Sequence, residues 1–398
     1  MREWCERVQG MKIVHIITDL NVGGAQVMLH QLLRHTDQSI VASEVVSLTD
    51  AGAVAAGIES LGIPVATMDM RGGVPDPMAV LRLARWLRRA QPDVIQTWLY
   101  QGDLLGGLAA RIAGIRSLVW GIHNSDVDPQ NNKRSIRWTI SACVRASHYL
   151  PSKIVCCAVS AQQFHAALGY PAEKMFVIPN GFDVDNFKPD RDARASVRRE
   201  FAIPDTAPLI GLSGRFHPQK DHKNFVRAAA RLHARRPDAR FMLCGEGSDW
   251  SNQELAAWID EVAMRDQFHL LGRRQDMARI YASLDLLALS ASHNEAFPMV
   301  IGEAMACGVP CVVTDVGDSA LMVGDTGRVV PPKDAPALAE GWLELIELES
   351  EARQALGVRA RQRIEQHYSI AAIVRRYENL YADTLQLEAR RGVGGAGK

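Results

Sequence analysis

An alternation of strand-like and helix-like segments, repeated in both halves of the chain, most constrains what these 398 residues can fold into. Strands that alternate with helices favour parallel sheets with helical crossovers. In the first half we predict strands over residues 12–17, 41–48, 65–69, 94–98, 118–121, 154–159 and 176–179. The second half restarts the pattern with strands over residues 209–213, 240–244, 268–271, 284–289, 311–314 and 328–330. Each half begins with a strand, a glycine-bearing loop and a helix, which predicts an α/β fold of two doubly wound, Rossmann-like domains facing a central cleft.

The chain is long enough for two domains, because its length exceeds one typical hydrophobic core. We place an N-terminal domain over residues 11–182 and a C-terminal domain over residues 206–368. Between them, residues 183–205 are polar and contain Pro189 and Pro204, which favours a linker. A charged, amphipathic tail follows the last strand up to about residue 390 and is predicted to be helical.

The cysteines and the apolar segments indicate the compartment. Seven cysteines lack the paired spacing of a disulfide scaffold or a zinc site, which favours a reducing environment. No apolar run approaches the roughly 20 residues that span a bilayer, and residues 1–10 lack the apolar core of a signal peptide. We therefore expect a cytoplasmic protein, either free or peripheral on the inner face of the membrane.

Charge is balanced overall but unevenly spread. Lysine and arginine together number 45, as do Asp and Glu, yet residues 71–153 hold twelve Arg and Lys against five Asp. Such an excess can serve phosphates or an anionic membrane surface. Nucleic acid is not an expected partner, because the basic residues are not interleaved with a base-stacking motif. Solvated helix faces remain the open alternative.

Within this basic stretch, the segment 133–140 combines three cations with Ile136, Trp138 and Ile140. Apolar and basic groups on one short helix suit reversible docking on an anionic membrane. The alternative is that the two isoleucines pack into the domain core while the cations are merely solvated.

Two carboxylates separated by seven residues form the most informative chemical motif. Glu295 follows a predicted strand, and Glu303 lies about one and a half turns into the next predicted helix, for which Pro298 suits the first position. Open α/β sheets bind ligands at the carboxyl ends of their strands. Two hydrogen-bond acceptors at different depths suit a polyhydroxylated ligand: the outer one would bind a sugar, and the inner one a ribose. Spacing alone equally allows a pair of solvated helix carboxylates.

The sequence around these two carboxylates resembles that of a known family. Residues 290–310 resemble the Glu-x7-Glu motif of the retaining GT-B glycosyltransferases of group 1 (family 4), and Gly214 to Lys220 looks like that family's Gly-Arg-Leu-x-x-x-Lys diphosphate clamp. Near the start, Gly23-Gly24-Ala25 is similar to the N-terminal glycine loop. The pieces occur in family order, so the resemblance covers the chain from residue 11 to about residue 381. Bacterial surface-polysaccharide transferases are among the proteins it resembles.

The resemblance assigns roles to individual residues. It implies that Arg215 and Lys220 hold a diphosphate, that the amides of Met299 and Val300 contact the phosphate, and that Gly24 lets the backbone approach the donor. It further implies sugar contacts by Glu295, by the amides of Ala296 and Phe297, and by His123, with Glu303 on the ribose. Ala296 and Pro298 replace the glycines of the commoner Glu-Gly-Phe-Gly text, so the loop is expected to be tighter and the donor preference altered.

The implied activity is transfer of a hexosyl unit from a nucleotide-diphosphate sugar to an acceptor hydroxyl, with retention and without a metal or cofactor. The expected acceptor is a glycan or lipid-linked glycan of cell-surface polysaccharide assembly. The resemblance also implies that a helix over residues 369–390 returns to the N-terminal domain. Two alternatives stay open: a nucleotide-sugar 2-epimerase of the same fold, and a non-catalytic partner that binds sugar nucleotides.

Three further motifs are interpreted as structural. Gly245-Glu-Gly247 lacks the third glycine and the acidic ribose ligand of a dinucleotide fingerprint. The Asp-x-Asp pairs at 126/128 and 183/185 follow no apolar strand in a nucleotide-binding context and are assigned to loops. Asn180-Gly181 is interpreted as a structural turn.

Overall fold

The structure, a computed structural model, describes residues 8–70, 77–124 and 134–395. These residues form two compact units. The first contains the chain up to Gly181 together with the chain from Ile370 onward, and the second is Phe182–Ser369. Each unit is built on a parallel sheet with helical crossovers, so the predicted pair of Rossmann-like folds is confirmed.

The first unit has a sheet of seven parallel strands in the order β3-β2-β1-β4-β5-β6-β7. All five residues of β4 and of β5 are buried, as expected for strands covered on both faces by helices. The strands are β1 (Met11–Ile17), β2 (Val41–Ser47), β3 (Val65–Thr67), β4 (Val94–Trp98), β5 (Leu118–Ile122), β6 (Lys153–Cys156) and β7 (Met175–Val177). The helices are α1 (Gly24–His35), α2 (Gly52–Glu59), α3 (Pro77–Ala90), α4 (Leu99–Gln101), α5 (Gly107–Ala113), α6 (Arg134–Ser147) and α7 (Val159–Ala167), with a π-helical turn, Gly102–Gly106, before α5.

The second unit has a sheet of six parallel strands in the order β10-β9-β8-β11-β12-β13. The strands are β8 (Leu209–Ser213), β9 (Arg240–Cys244), β10 (Phe268–Leu270), β11 (Leu286–Leu289), β12 (Cys311–Thr314) and β13 (Arg328–Val330). The helices are α8 (Arg191–Glu200), α9 (His222–His233), α10 (Gln253–Glu261), α11 (Met277–Ser283), α12 (Met299–Ala306), α13 (Ser319–Val323), α14 (Ala335–Ile346) and α15 (Ser350–His367). Phe225, Phe241 and Trp342 are fully buried and meet one another at the centre of this unit's core.

The last helix, α16 (Ile370–Gly395), belongs to the first unit. Its apolar face joins the hydrophobic core formed with β1, β4 and α1, and Ile373 and Tyr377 are each no more than 1% exposed. Gly181 lies against the start of this helix, where a Cβ would come within 2.8 Å of Ile370 Cα. The Asn180-Gly181 turn is therefore structural, as interpreted from the sequence.

The segment 183–205 is not a free linker, because it lies within the second unit and contains α8. Arg198 of that helix is 1% exposed, pairs with Asp285 at 2.6 Å and donates to the carbonyl oxygens of Pro204 and Ala207. Arg194 binds the same carboxylate at 2.8 Å. The polar composition that suggested a linker belongs to a surface helix whose two arginines fix it beside the second sheet. Asp183 accepts from the amides of Asp185 and Asn186 in a turn, as expected for a loop pair.

Each sheet reverses its strand order at one place, between β1 and β4 in the first unit and between β8 and β11 in the second. Loops diverge on either side of such a switch point, and the opening at the carboxyl ends of the strands binds ligands in open α/β folds. Within the described ranges, no helix is both long enough and apolar enough to cross a bilayer.

Candidate active site

Two loops meet at the switch point of the second sheet. Lys220, after β8, forms an ion pair through Nζ with Oε1 of Glu295, after β11. Backbone and side-chain bonds tie the same loops together: the Gln219 side chain donates to the Asn294 carbonyl at 2.6 Å, and the Ser292 amide donates to the Gln219 carbonyl at 2.8 Å. The fold therefore brings together two residues that the sequence places 75 positions apart.

Arg215 lies in the same loop as Lys220 but has a different environment. Its side chain is exposed, and no described residue forms an ion pair or hydrogen bond with it. The backbone beside it is fixed, because the Phe216 amide donates to the Glu246 carbonyl at 2.7 Å. A Cβ on Gly245 would lie 2.1 Å from the Gly214 carbonyl oxygen, so this glycine permits close contact between the two loops. The Gly245 loop, which the sequence analysis interprets as structural, therefore supports the loop that carries Arg215.

The start of α12 presents unpaired amides near Glu295. Pro298 is the N-cap of this helix and not its first residue, because its ψ of 104° is extended; the helix begins at Met299. The first bond toward the cap is donated by the Ile301 amide to the Pro298 carbonyl at 3.2 Å. The amides of Met299 and Val300 precede that bond and, with the positive end of the helix dipole, can bind an anion.

Glu303 is enclosed and not a solvated helix carboxylate. The residue is only partly exposed, and burial of its carboxyl group raises the pKa of that group to about 7. The hydroxyl of nearby Tyr281 acts as a donor toward the carboxylate and partly opposes this shift in pKa. Tyr281 is itself 1% exposed and lines the same small cavity as Ser213, at the end of β8. Sequence spacing placed Glu303 in the right helix but could not reveal the tyrosine.

Gly317 is a supporting residue that the sequence did not indicate. Its φ of +54° is left-handed, and a Cβ there would lie 1.7 Å from the carbonyl oxygen of Glu295. The next amide, of Asp318, donates to the Ala296 carbonyl at 3.0 Å. Only glycine therefore allows the loop after β12 to hold the Glu295 loop in place. The Phe297 ring is anchored separately, by stacking on Phe182 with a 6.0 Å separation of ring centroids.

In the first unit, His123 follows β5 and lies against a buried aromatic ring. The imidazole stacks on Trp98 with centroids 4.9 Å apart and planes 18° apart. Burial lowers the pKa of His123 to about 4, so the ring is neutral at physiological pH. Its Nε2 is buried and has no hydrogen-bond partner among the described residues. A neutral ring nitrogen without a partner can bind a hydroxyl of a ligand.

The glycine loop after β1 leads into α1, with Gly23 as N-cap and Gly24 as first helical residue. A Cβ on Gly24 would meet nothing within 4 Å, and its φ is not left-handed. The fold thus does not require glycine at this position, and the open space beside it is compatible with the predicted approach of a ligand. The role of Gly24 in donor binding stays a prediction.

The basic segment that the sequence singled out is only partly described. Ile140 is 6% exposed and packs in the core, as the structural alternative predicted for both isoleucines, whereas Ile136 is partly exposed and Trp138 is 63% exposed. Arg137 is exposed beside it. Lys133, the Arg134 side chain and the 126/128 aspartate pair lie outside the described residues.

Comparisons with known proteins agree with this architecture. Residues 193–363 match the family Glycosyl transferases group 1, and residues 22–186 match Glycosyltransferase Family 4. N-acetyl-alpha-D-glucosaminyl L-malate synthase of Bacillus anthracis is 29% identical over 192 residues, which are 48% of this chain and 49% of that protein. The UDP-Gal:alpha-D-GlcNAc-diphosphoundecaprenol alpha-1,3-galactosyltransferase of Escherichia coli is 22% identical over 315 residues, 78% of this chain and 80% of that protein.

Among solved structures, Anabaena HepE in complex with UDP-glucose has a TM-score of 0.79 and 23% identity, covering 94% of this chain and 99% of that chain. Two Rossmann-like sheets with this likeness define a GT-B glycosyltransferase fold. The chain belongs to the group 1 glycosyltransferases of family 4. It spans about half the length of the Bacillus anthracis relative that it matches.

The enclosed carboxyl of Glu303 gives a testable pH dependence. Its folded pKa, about 7, exceeds the ordinary value of 4.5, so the folded state binds the proton more tightly than the unfolded state. The stability contributed by this group is present below about pH 4.5 and is lost as the pH rises through 7. Glu303→Gln removes that loss. We expect the variant to gain on the order of 1–3 kcal/mol in free energy of unfolding, relative to wild type, between pH 5 and pH 8.

Denaturant unfolding at both pH values measures this difference. Glu254→Gln, at an exposed position of α10, is the matched control and should show the same offset at both pH values. A pH-independent offset for Glu303→Gln would mean that its carboxyl is solvated.

Proposed function

We propose that this glycosyltransferase moves a hexosyl unit from a nucleotide-diphosphate sugar to an acceptor hydroxyl, with retention at the anomeric carbon. The observation that carries the proposal is the ion pair between Lys220 and Glu295 at the switch point of the second sheet. A cation for the leaving diphosphate and a carboxylate for sugar hydroxyls lie in direct contact there. The HepE structure with UDP-glucose supports a nucleotide sugar as the donor class.

The diphosphate is assigned to Arg215, Lys220 and the start of α12. Arg215 supplies an exposed guanidinium that can bind two phosphate oxygens at once, and Lys220 supplies a compact charge. The amides of Met299 and Val300 add neutral donors and the helix dipole. These groups can balance the charge that develops on the leaving phosphate, so the proposal needs no divalent metal and no cofactor.

The transferred sugar is assigned to Glu295, the amides of Ala296 and Phe297, and His123. A carboxylate accepts hydroxyl hydrogen bonds in the charge-assisted range, and a neutral imidazole binds a hydroxyl without adding charge. When the donor binds, Lys220 exchanges its carboxylate partner for the diphosphate. That exchange frees Glu295 for the sugar and leaves neither charge without a partner. Glu303, with Tyr281 beside it, is assigned to the ribose hydroxyls.

Retention is assigned to attack on the same face from which the diphosphate leaves. The acceptor oxygen bonds to the anomeric carbon as the carbon–oxygen bond to the phosphate breaks. The departing phosphate oxygen keeps the electron pair and takes the acceptor's proton. A double displacement would need a nucleophile beside the anomeric carbon, and Glu295 is already assigned to the sugar hydroxyls. Positioning, charge stabilisation and exclusion of water are then the contributions of the protein.

The acceptor is proposed to be a glycan or lipid-linked glycan in the assembly of cell-surface polysaccharide, at the inner face of the membrane. The Escherichia coli relative, whose name specifies a diphosphoundecaprenol-linked acceptor, supports this class. The basic stretch of the first unit supports contact with anionic lipid. A 2-epimerase would release product without any acceptor, and a non-catalytic partner would release none. Nucleotide release from UDP-glucose or GDP-mannose, measured with and without lipid extract, separates the three.

Substitutions in the ion pair should separate sugar contacts from phosphate contacts. Glu295→Gln is expected to reduce turnover roughly 30- to 1000-fold, the equivalent of about 2–4 kcal/mol, because a charged hydrogen bond to the transition state is lost. Its affinity for free nucleoside diphosphate should be retained. Lys220→Ala and Arg215→Ala should each weaken nucleoside diphosphate binding as well as turnover, because they face phosphate in both states.

Titration calorimetry with UDP and GDP, together with turnover assays, measures these effects. Glu254→Gln and Lys333→Ala, both at exposed positions, are the charge-matched controls. Near-normal turnover in Glu295→Gln would end its assignment, and unchanged affinity in both cation variants would place the clamp elsewhere.

Metal dependence and stereochemistry provide an independent test. Activity should survive EDTA, since Arg215, Lys220 and the α12 amides meet the phosphate charge. The new glycosidic bond should keep the anomeric configuration of the donor, as read from NMR coupling constants of the product. Loss of activity in EDTA that manganese restores, or an inverted product, would contradict the proposal.

Membrane docking should depend on the basic segment of the first unit. Changing Lys133, Arg134 and Arg137 together to Ser should weaken cosedimentation with anionic liposomes roughly 100-fold, because each cation near the surface contributes about 1 kcal/mol. Binding should also fall at high salt. The charge-matched control changes Arg227, Arg231 and Lys333 of the second unit to Ser. Indifference of the wild type to lipid charge would refute the docking proposal.

A further inference from the structure

A second cavity of the second unit has no part in the function proposed above. It is open to solvent, has a volume of about 660 Å³, and lies between α9, the C-cap of α10 and the start of α14. Cavities of about 300–1,000 Å³ are typical of small-molecule sites. None of the residues assigned to the donor lines this cavity. It is therefore a candidate site for a different ligand.

Three cations line the cavity: Arg227, Arg231 and Lys333. The two arginines lie about one turn apart on α9, and Lys333 lies in the loop between β13 and α14, with a left-handed φ of +62°. All three are exposed, and no described residue forms an ion pair or hydrogen bond with them. Arg235, just beyond the same helix, instead pairs with Glu340 at 2.9 Å. No acidic residue is among the described residues that line the cavity, so its positive charge is uncompensated and attracts an anion.

A buried amide adds a specific hydrogen-bond donor to these charges. Asn224, one turn before Arg227 on α9, lines the cavity and is 5% exposed. Its Nδ2 is buried and has no hydrogen-bond partner among the described residues. The backbone of Asn224 is fixed, because its amide donates to Oδ1 of Asp221, which caps the helix, at 3.1 Å. A buried donor without a partner is destabilising, and a ligand that accepts from Nδ2 removes that penalty.

The remaining wall of the cavity is apolar and made of small side chains. Ala230 of α9, Val262 after α10 and Ala335 at the start of α14 contribute to it. An inorganic ion alone would leave most of this wall uncovered. Charged donors on one part of a cavity and apolar carbon on the rest suit a ligand with an anionic group and an organic body.

We propose that this cavity binds a soluble organic phosphate of the sugar-phosphate class. The phosphate group accepts from the three cations and from Nδ2 of Asn224, and the organic body lies against the apolar wall. A phosphate monoester carries a charge of about −1.5 to −2 at pH 7 and three strong acceptor oxygens, so one group can satisfy several donors. An arginine can bind two of those oxygens at once. The inference does not depend on the proposed transferase activity.

Titration calorimetry with glucose 6-phosphate, inorganic phosphate and glucose tests this site. Wild type should bind glucose 6-phosphate more tightly than inorganic phosphate, and glucose roughly 10-fold or more weakly than its phosphate ester, because the charged hydrogen bonds are lost. Changing Arg227, Arg231 and Lys333 together to Ser should weaken binding of glucose 6-phosphate roughly 100-fold or more. The charge-matched control changes Arg191, Arg199 and Arg359 to Ser, all at exposed positions outside the cavity, and should leave the affinity unaltered.

The buried amide is tested by Asn224→Asp. This change keeps the shape of the side chain but replaces the donor with a carboxylate that repels phosphate, and affinity for glucose 6-phosphate should fall roughly 10-fold or more. Aspartate is favourable in the first turn of a helix, so the variant should keep its melting temperature. Unchanged affinity in Asn224→Asp, or in the triple Ser variant, would overturn the inference. Failure of wild type to bind either phosphate probe would do the same.

Arg215→Ala separates this cavity from the proposed donor clamp. It should bind glucose 6-phosphate as wild type does, whereas the triple Ser variant should keep wild-type affinity for UDP and GDP. Loss of glucose 6-phosphate binding in Arg215→Ala, with retention in the triple variant, would place the phosphate at the clamp and refute the inference. The triple variant should also bind anionic liposomes as wild type does. Weaker liposome binding would instead assign the cavity to a lipid headgroup and contradict a soluble ligand.

Discussion

The ion pair of Lys220 and Glu295 is the interaction on which the second unit's site depends. Both side chains are largely shielded, with exposed fractions of 17% and 9%. A charge so shielded is destabilising unless an opposite charge lies beside it. The pair therefore keeps two reactive groups in place before any ligand arrives. It also sets a condition on the ligand, which must supply an anion for the lysine and hydroxyls for the carboxylate at the same time.

Close backbone contacts keep this pair in position. Gly317 and Gly245 each allow a neighbouring loop to approach to a distance that no Cβ would permit. The two contacts support the two loops that carry the ion pair. Gly317 supports the loop of Glu295, and Gly245 supports the loop that carries Arg215 and Lys220. Packed backbone transmits a displacement directly, so a side chain added at either glycine would move a functional residue that it does not touch. Arg215, which has no partner among the described residues, supplies the attraction for an anion that the neutralised lysine cannot.

The sequence predicts correctly the strands, which depend on continuous apolar runs, and the residues that lie in known sequence motifs. Every predicted strand is present, because strands buried on both faces read as unbroken apolar segments. The errors have local causes. Residues 284–289 were predicted as strand, but Leu284 caps α11 and packs over Gly211, so β11 begins two residues later. The α8 segment resembles a linker in sequence because its polar residues include two arginines whose pairing with Asp285 the sequence does not show.

The site could be predicted only as far as its motifs extend. Glu295, Lys220 and Arg215 were found because they lie in two recognisable motifs, residues 290–310 and residues 214–220. Tyr281 and Gly317 belong to no such motif, and each acts through one long-range contact. A single sequence does not show which distant side chain completes a hydrogen bond. Their roles follow only from the direction of individual bonds and from the space around one backbone position.

In the first unit, His123 is held in place by aromatic stacking and not by an ion pair. Its ring rests on Trp98, and Trp98 in turn lies against Tyr377 of α16, with ring centroids 6.2 Å apart and planes 24° apart. Trp98 and Tyr377 are each no more than 1% exposed. Burial in this aromatic stack disfavours the imidazolium and leaves a neutral ring. The last helix of the chain is thus part of the support for a residue near its middle. That dependence gives a physical reason for α16 to belong to the first unit. Without this helix, Trp98 would lose the Tyr377 ring that packs against it, and the His123 side chain would lose a fixed surface on which to lie.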